Sequence, residues 1–524
     1  MKVLVLDNLD QCGIDVFIKE GIEVDVKSKL SREELLTSII AYDALVVRGA
    51  TKVTSDIIDK ATRLKVIGRA GSGTDNIDTL SATKKGIVVM NAPGANTITT
   101  AEHALAMIFS LARHVPQATA SMKNGKWEKS LFMGTELTNK VLGIIGLGNI
   151  GKAVAERALG LKMVVLAYDP YISKEDAYKL GVELVPLDEI YARSDFITYH
   201  TPLNPETKGM INAQTIAKMK KGVFIINCAR GELINEQDLL AALESKHVKG
   251  VALDVFSLEP PPNDMLLLKH PNVVLTPHLG ASTNEAQEKV AIQIAEQITD
   301  FLKNGVIRNS INFPSVTAEM LKILRPYIDL CEKLGSFRGQ LLSDPLKELR
   351  IEYLGEASKL MTEPLTISIL KGLLQHQTED VNLVNAKLVA EERGIKVAET
   401  KTSKTEDYTS LIRVITITDT EETSISGVIF GNNPKITMIN DFRIEAVLSG
   451  GILMLENLDV PGVVGLLGTF LGKKGINIAN FQLGRTKPGG TAISLINVDN
   501  VVSQNVLNEL VKLPNITSAK YLIF

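Results

Sequence analysis

Short runs of β-branched and other apolar residues recur through the first third of the chain, at Lys2 to Leu6, Glu23 to Val26, Ala44 to Val47, Lys65 to Ile67 and Ile87 to Met90, with helical patterns between them. That alternation predicts buried strands in a parallel sheet wrapped by helices. After Pro93 a single long helix is expected from Thr97 to about Asn124. The alternation then restarts, with strands expected at Val141 to Ile145, Met163 to Ala167, Phe196 to Tyr199, Val223 to Ile226, Gly250 to Leu253 and Val273 to Leu275. Two doubly wound α/β units in succession are predicted. From Thr283 to Asn304, Ala286, Val290, Ile294 and Ile298 form one apolar helix face that Gly305 ends, and this helix is expected to return to the first unit.

Beyond Pro314 a helix-rich stretch precedes strand-like runs at Leu349 to Tyr353, Leu365 to Ile369 and Leu411 to Thr418, without a glycine-rich turn. An α+β domain with no catalytic signature is expected there. From Gly451 the pattern reads strand (Ile452 to Glu456), helix (Val463 to Lys473), strand (Ile476 to Leu483), strand (Ala492 to Val498), helix (Gln504 to Leu513), strand (Ile516 to Ile523), the ferredoxin-like βαββαβ order. The expected division is 1–97 with 284–314, then 98–283, 315–449 and 450–524.

Composition narrows the function classes. At 524 residues the chain has room for several cores, and 57 Lys plus Arg against 60 Asp plus Glu give a net charge of −3, which disfavours nucleic acid as the main partner. Cys12, Cys228 and Cys331 are odd in number and far apart, which suits a reducing compartment; no apolar run has the length of a membrane span. A cytoplasmic protein without membrane insertion is expected.

Chemistry first appears at Gly146-Leu147-Gly148-Asn149-Ile150-Gly151, which joins a predicted strand to a predicted helix. In that context GxGxxG is a dinucleotide turn: Gly146 permits the tight turn, Gly148 lets a pyrophosphate approach the backbone, and Gly151 allows helix and strand to pack. The next strand ends at Tyr168-Asp169, 18 residues past Gly151, where an acid would grip the adenosine ribose and repel a 2′-phosphate, so NAD is favoured over NADP. Later strand ends carry Arg230, Asp254, Glu259 and His278. Oxidation of a 2-hydroxy acid needs a base for the hydroxyl proton, a cation for the carboxylate and a carboxylate beside the base. His278, Arg230 and Glu259 can supply them. Cys228 reads as a small buried residue, and no metal motif is present.

Gly146 to Gly151, Arg230 in NCARGE, Glu259 in LEPPP and His278 in TPHLGAST resemble the NAD-dependent D-2-hydroxyacid dehydrogenases over about the first 315 residues. The resemblance implies a flavodoxin-like substrate domain and a Rossmann NAD domain, with Arg230, Glu259 and His278 catalytic. It carries Asp169, Thr201, Ala229 and Asp254, with His200 and Pro202 at the adenine side and Gly280 beyond His278, into the cofactor site. Arg48 in VVRGATKV, Gly68 to Gly71 followed by Thr74 to Asp78, and Gly125-Lys126-Trp127 followed by Phe132 to Leu137 resemble the branch that oxidises 3-phospho-D-glycerate to 3-phosphohydroxypyruvate at the start of L-serine synthesis. By that resemblance Arg48 and Arg69 bring charge to a phosphate and carboxylate pocket, and Gly71 and Asn96 line its substrate side.

Val381 to Asn385, Glu392 to Ile395 and Asp441 to Arg443 resemble the intervening domain of the longer members of that branch. Asn457 to Gly465 with Gly475 to Ile478 resembles an ACT domain, which implies Asp459 and Asn477 as ligands of an L-serine effector. That domain could instead serve only to build the oligomer, a homodimer or homotetramer. Two other readings stay open: a glyoxylate or hydroxypyruvate reductase, which would lack the phosphate pocket, and an NAD-sensing interaction protein.

Overall fold

The first five apolar runs form strands β1 (Lys2–Val5), β2 (Glu23–Val26), β3 (Ala44–Val47), β4 (Val66–Arg69) and β5 (Val88–Asn91) of a parallel sheet in the order β2-β1-β3-β4-β5. The computed structural model describes residues 1–405, 407–431 and 433–524. Every residue of β3 and β5 is buried, as uninterrupted apolar strands require when helices cover both faces. The helix Asn284–Asn304 comes back to this sheet and places Val290, Ile294 and Ile298 in one core with Val3, Val5 and Val66.

A second parallel sheet contains β6 (Val141–Ile145), β7 (Val164–Tyr168), β8 (Glu183–Leu184), β9 (Phe196–Tyr199), β10 (Val223–Asn227), β11 (Val248–Leu253) and β12 (Val273–Leu275), ordered β12-β11-β10-β9-β6-β7-β8. Strand β6 pairs with both β7 and β9, so the direction of winding reverses there. The crevice beyond the carboxyl ends of β6 and β9 is the natural ligand site of such a sheet.

The long helix expected from Thr97 is two helices, Thr97–Arg113 and Val115–Lys123, parted by His114 at φ 53°. Pro116 has no N–H to give Ala112, and its ring would press on that carbonyl. The Ala112 carbonyl accepts the Thr135 amide instead, at 2.8 Å.

The third sheet is mixed: β13 (Glu348–Gly355), β14 (Lys396–Thr402), β15 (Ser410–Ile417), β16 (Glu422–Phe430), β17 (Asn433–Ile439) and β18 (Phe442–Ala446), ordered β14-β13-β15-β16-β17-β18. Leu365 to Ile369, expected as a strand, lies in the helix Glu363–Leu374. Pro364 starts that helix, and burial on all sides removes the amphipathic period that would have distinguished helix from strand. Its neighbour, the helix Ala318–Leu341, approaches backbone to backbone: a Cβ on Gly335 would lie 2.1 Å from the Ile369 carbonyl oxygen, and one on Gly339 2.4 Å from that of Leu373.

The last sheet, β19 (Gly451–Leu458), β20 (Ile478–Arg485), β21 (Thr491–Val498) and β22 (Ile516–Ile523), is antiparallel in the order β20-β21-β19-β22, the ferredoxin-like arrangement. Alternation along β19 sends Leu453 and Leu455 to Leu467 and Leu471 of its own helices, while Ile452 and Met454 join the core around Phe337. The two C-terminal units thus share a core. They dock on the first unit through Asn382 and Asn385, whose amides donate to the carbonyls of Gly86 (3.4 Å) and Lys84 (3.2 Å).

Gly335→Ala is expected to destabilise the helix pair by about 1–3 kcal/mol through overpacking, seen as a lower Tm in calorimetry. An unchanged melting curve would show that the two backbones are not in contact.

Candidate active site

Strand β6 delivers Gly146 to the crevice at φ 95°, where a Cβ would lie 2.6 Å from the His200 carbonyl oxygen. Gly151 is as constrained, since its Cβ would fall 2.0 Å from the Gly146 oxygen. A Cβ on Gly148 would meet no protein atom within 4 Å, so the space there is open to a ligand. The helix that follows, Asn149–Gly160, has no side-chain cap, which leaves the amides of its first turn, at Asn149 and Ile150, to an outside acceptor. Asp169 closes the rim: its carboxylate accepts the Leu147 amide at 2.8 Å and the Tyr171 amide at 2.9 Å. Burial pushes His200 down to about 4, so it is neutral, with Nε2 3.0 Å from Thr198 Oγ1. Thr201 Oγ1 is buried without a partner, and Pro202 is exposed beside it. An open glycine, uncapped amides and an orphaned hydroxyl around one turn fit a dinucleotide.

The opposite wall depends on Asp254, a fully buried residue just past β11. Its Oδ1 accepts the Thr276 hydroxyl at 2.6 Å and the Leu279 amide at 2.7 Å, and its Oδ2 accepts the Gly280 amide at 2.8 Å. Burial, the largest influence, pushes this carboxyl up, but His103 and those donors together hold it below its ordinary 3.8. Asp254 also accepts the His278 amide on its carbonyl at 2.9 Å, and His278 sits at φ 55°, a left-handed conformation unusual for histidine. Glu259 reaches His278 Nδ1 with Oε2 at 2.7 Å while its Oε1 accepts the Phe256 amide at 3.1 Å. Burial raises the Glu259 pKa, but the hydrogen bond and charge of His278 outweigh it and hold the carboxyl below the usual range. With Nδ1 committed to Glu259, Nε2 is the nitrogen left to exchange a proton. A mainly apolar cavity of about 410 Å³, lined by Phe256, Leu268, Leu275 and Pro277, lies against the pair.

Strand β10 places Arg230 three residues past its end. Buried Asn227 shapes that turn, donating to the Arg230 carbonyl at 2.8 Å and accepting the Ala229 amide at 3.0 Å. The Arg230 guanidinium gives Nη1 to the Ala229 carbonyl (2.7 Å) and Nε to Asp75 of the first unit (2.8 Å). Arg69, at the end of β4, is largely buried with Nε unpartnered, and Gly71 leaves room for it, since a Cβ there would fall 1.5 Å from Nη1. Burial and then the Arg230 charge push Arg69 down to about 10. Arg48, half-buried, gives Nη1 to the Asn8 carbonyl at 3.4 Å, and Asn96 accepts the Ser72 hydroxyl at 2.7 Å. The two units therefore bring Arg48, Arg69 and Arg230 near one another, with the Arg230 guanidinium on the loop that follows β4.

Asp459 and Asn477 lie far along the chain in the ferredoxin-like unit. The Asp459 carboxylate accepts from Arg485 at 2.7 Å, and Asn477 donates to Asp499 at 2.6 Å. Sequence reasoning passed over Asp75, Thr276 and His103. Asp75 and Thr276 lay inside the quoted motifs Thr74 to Asp78 and TPHLGAST without being given a role, and His103 carried no signal. His103, Cys228 and Asp254 hold potential ligand atoms within 4.8 Å of one another, but His103 and Asp254 are already engaged with each other and with Thr276.

Residues 105–280 match the family described as D-isomer specific 2-hydroxyacid dehydrogenase, NAD binding domain; residues 323–440 match the D-3-phosphoglycerate dehydrogenase intervening domain, and 451–515 the ACT domain. The chain is 44% identical to D-3-phosphoglycerate dehydrogenase of Archaeoglobus fulgidus, over 99% of both chains. Its identity to the Bacillus subtilis enzyme of that name is 43% over 99% of both, and to the Homo sapiens one 39% over 94% of this chain and 93% of the relative. Among solved structures, NAD-dependent formate dehydrogenase from Staphylococcus aureus in complex with NAD superposes with a TM-score of 0.55 at 29% identity, covering 60% of this chain and all of that one.

Asp254→Asn is expected to lower Tm, with a gap to the parent that is widest above about pH 5 and narrows below about pH 4. A carboxyl whose folded pKa is depressed adds stability above its unfolded pKa and loses it as pH falls through the folded value. Melting curves across that range test this, and a gap independent of pH would refute it.

Proposed function

The chain belongs to the D-3-phosphoglycerate dehydrogenase family, and from that premise we propose that it oxidises 3-phospho-D-glycerate at C2 to 3-phosphohydroxypyruvate through His278, Arg230 and Glu259. It is an NAD-dependent oxidoreductase, and the reaction named for its relatives opens L-serine synthesis. NAD, when bound, accepts the hydride from C2. The side chains handle the remaining charge and proton.

His278 Nε2 takes the proton from the C2 hydroxyl, and Glu259, 2.7 Å from Nδ1, stabilises the imidazolium that results. Arg230 keeps outer hydrogens on Nη1 and Nη2 after its bonds to Asp75 and Ala229, which suits two-point grip of the substrate carboxylate. Arg48 and Arg69 meet the phosphate, with Gly71 and Asn96 beside the substrate. On the cofactor side, Gly146, Gly148, Asn149, Ile150 and Gly151 would cradle the pyrophosphate and Asp169 would hold the ribose. His200 and Pro202 would flank the adenine side, and Thr201, Ala229, Asp254 and Gly280 would make the remaining contacts with NAD. The observation that carries this reading is the His278–Glu259 pair, an imidazole whose Nδ1 is held 2.7 Å from a carboxylate beside an apolar cavity.

The four units correspond in this reading to a substrate domain (1–97 with 284–314), an NAD domain (98–283), an intervening domain (315–449) and an ACT regulatory domain (450–524). L-Serine is the proposed effector, bound by Asp459 and Asn477 once they exchange Arg485 and Asp499 for the ligand. A homodimer or homotetramer is proposed because Trp127, Leu131 and Met133 stand 81%, 67% and 81% exposed within seven residues after the helix Val115–Lys123, large apolar side chains that a second copy of the chain would cover. Three free, separated cysteines accord with the cytoplasm.

His278→Asn is expected to retain NADH binding and lose turnover by orders of magnitude, read from NADH absorbance with 3-phosphoglycerate, D-glycerate and D-lactate in parallel. Comparable parent rates on D-glycerate would replace this reading with a general hydroxyacid reductase, and undiminished turnover in the variant would remove His278 from the mechanism. Asp459→Ala should abolish inhibition of the full chain by L-serine without altering its basal rate; inhibition of the parent that persists in the variant would exclude Asp459.

A further inference from the structure

Arg230 belongs to the second unit, yet its guanidinium lies on the Gly71 to Asp78 loop of the first. Its Nε donates to Asp75 Oδ2 at 2.8 Å, across 155 residues of chain. Gly73 makes the contact possible, since a Cβ there would fall 1.9 Å from Arg230 Nη2 and 3.0 Å from Asp75 Oδ2. The same loop is braced from below: Asn91, ending β5, donates to the Ser72 carbonyl at 2.5 Å, and Ser72 donates to Asn96.

An ion pair with the Asp75 side chain 59% exposed adds little stability. An acid at the mouth of a pocket for a phosphorylated carboxylate also opposes substrate by charge. Neither stability nor attraction therefore accounts for Asp75, whereas orientation does. Bonds from Nε to Asp75 and from Nη1 to the Ala229 carbonyl pin two edges of a planar group, so only the outer Nη1 and Nη2 hydrogens face the substrate.

We propose that Asp75 is a positioning residue for the reaction: it reaches across the cleft to hold Arg230 in the orientation that grips the substrate carboxylate, and Gly73 keeps the space that this requires. The proposal rests on Arg230 being the carboxylate ligand. Substrate held by a guanidinium free to swing would still bind, attracted by Arg48 and Arg69, but would lose alignment of C2 with His278.

The test is steady-state kinetics with 3-phosphoglycerate on Asp75→Asn, Arg230→Lys, their double variant and Gly73→Ala, with NADH fluorescence titration as the check on the cofactor domain. Asp75→Asn should lower kcat about tenfold or more while the substrate KM stays level or falls and NADH affinity is unchanged. Gly73→Ala, which displaces the guanidinium without changing charge, should also lower kcat. In the Arg230→Lys background, Asp75→Asn should have little further effect. Parent-like kcat in Asp75→Asn, or an equal loss in both backgrounds, would overturn the positioning role. Parent-like kcat/KM in Arg230→Lys would instead overturn the assignment of Arg230 itself.

Discussion

A single buried carboxylate organises the wall that carries His278. Asp254 is wholly out of solvent, and a carboxylate there is tolerable only because Thr276, Leu279, Gly280 and His103 surround its two oxygens. Those bonds gather the loop after β12 onto the end of β11. His278 lies between the tethered residues and is thereby held in a backbone conformation a free loop would leave. Glu259 then needs only to orient the ring. His278 is positioned first through its backbone and second through its side chain.

The cleft follows from two parallel sheets whose strand ends carry different chemistry. The second sheet contributes the glycine turn, Arg230, Glu259 and His278; the first contributes Arg48, Arg69 and the glycine-rich loop after β4. Arg69 is largely desolvated and close to Arg230, an arrangement costly without an anion to share. Asp75 links the two units beside that pair through its contact with Arg230. The return of the helix Asn284–Asn304 to the first core gives the chain two crossings between the units, one at each end of the second sheet's sequence.

The C-terminal half is built on a different economy of space. Glycines at 335, 339 and 372 let two long helices meet at backbone distance, and the helix Ala318–Leu341 then contributes Phe337 to a core continuous with β19, β21 and β22. Asn382 and Asn385 join this half to the turn at Lys84 and Gly86, directly before β5. Strand β5 ends at Asn91, which braces the loop that receives Arg230. A continuous set of contacts therefore runs from the C-terminal units to the cleft.

Local pattern was enough for the parts whose signal is local. Buried β-branched runs announced the parallel strands, and a strand, three glycines, a helix and Asp169 at the right spacing announced the dinucleotide turn, because phosphate binding there uses backbone that only glycine permits. The same logic failed at Leu365 to Ile369, where burial on every side leaves no period, and at His114, where one proline divided an otherwise continuous helical pattern. Arg230, Glu259 and His278, the trio proposed for catalysis, were legible as separated motifs but not as a site, since they are spread over some fifty residues. The sequence by itself determined the four-unit architecture, through periodicity, and the cofactor class, through the glycine turn and the spacing of Asp169, properties encoded within short windows. Tertiary structure alone decided that Asp254 anchors the loop of His278 and that Asp75 meets Arg230, because hydrogen-bond partners 22 to 155 residues apart leave no trace in local spacing.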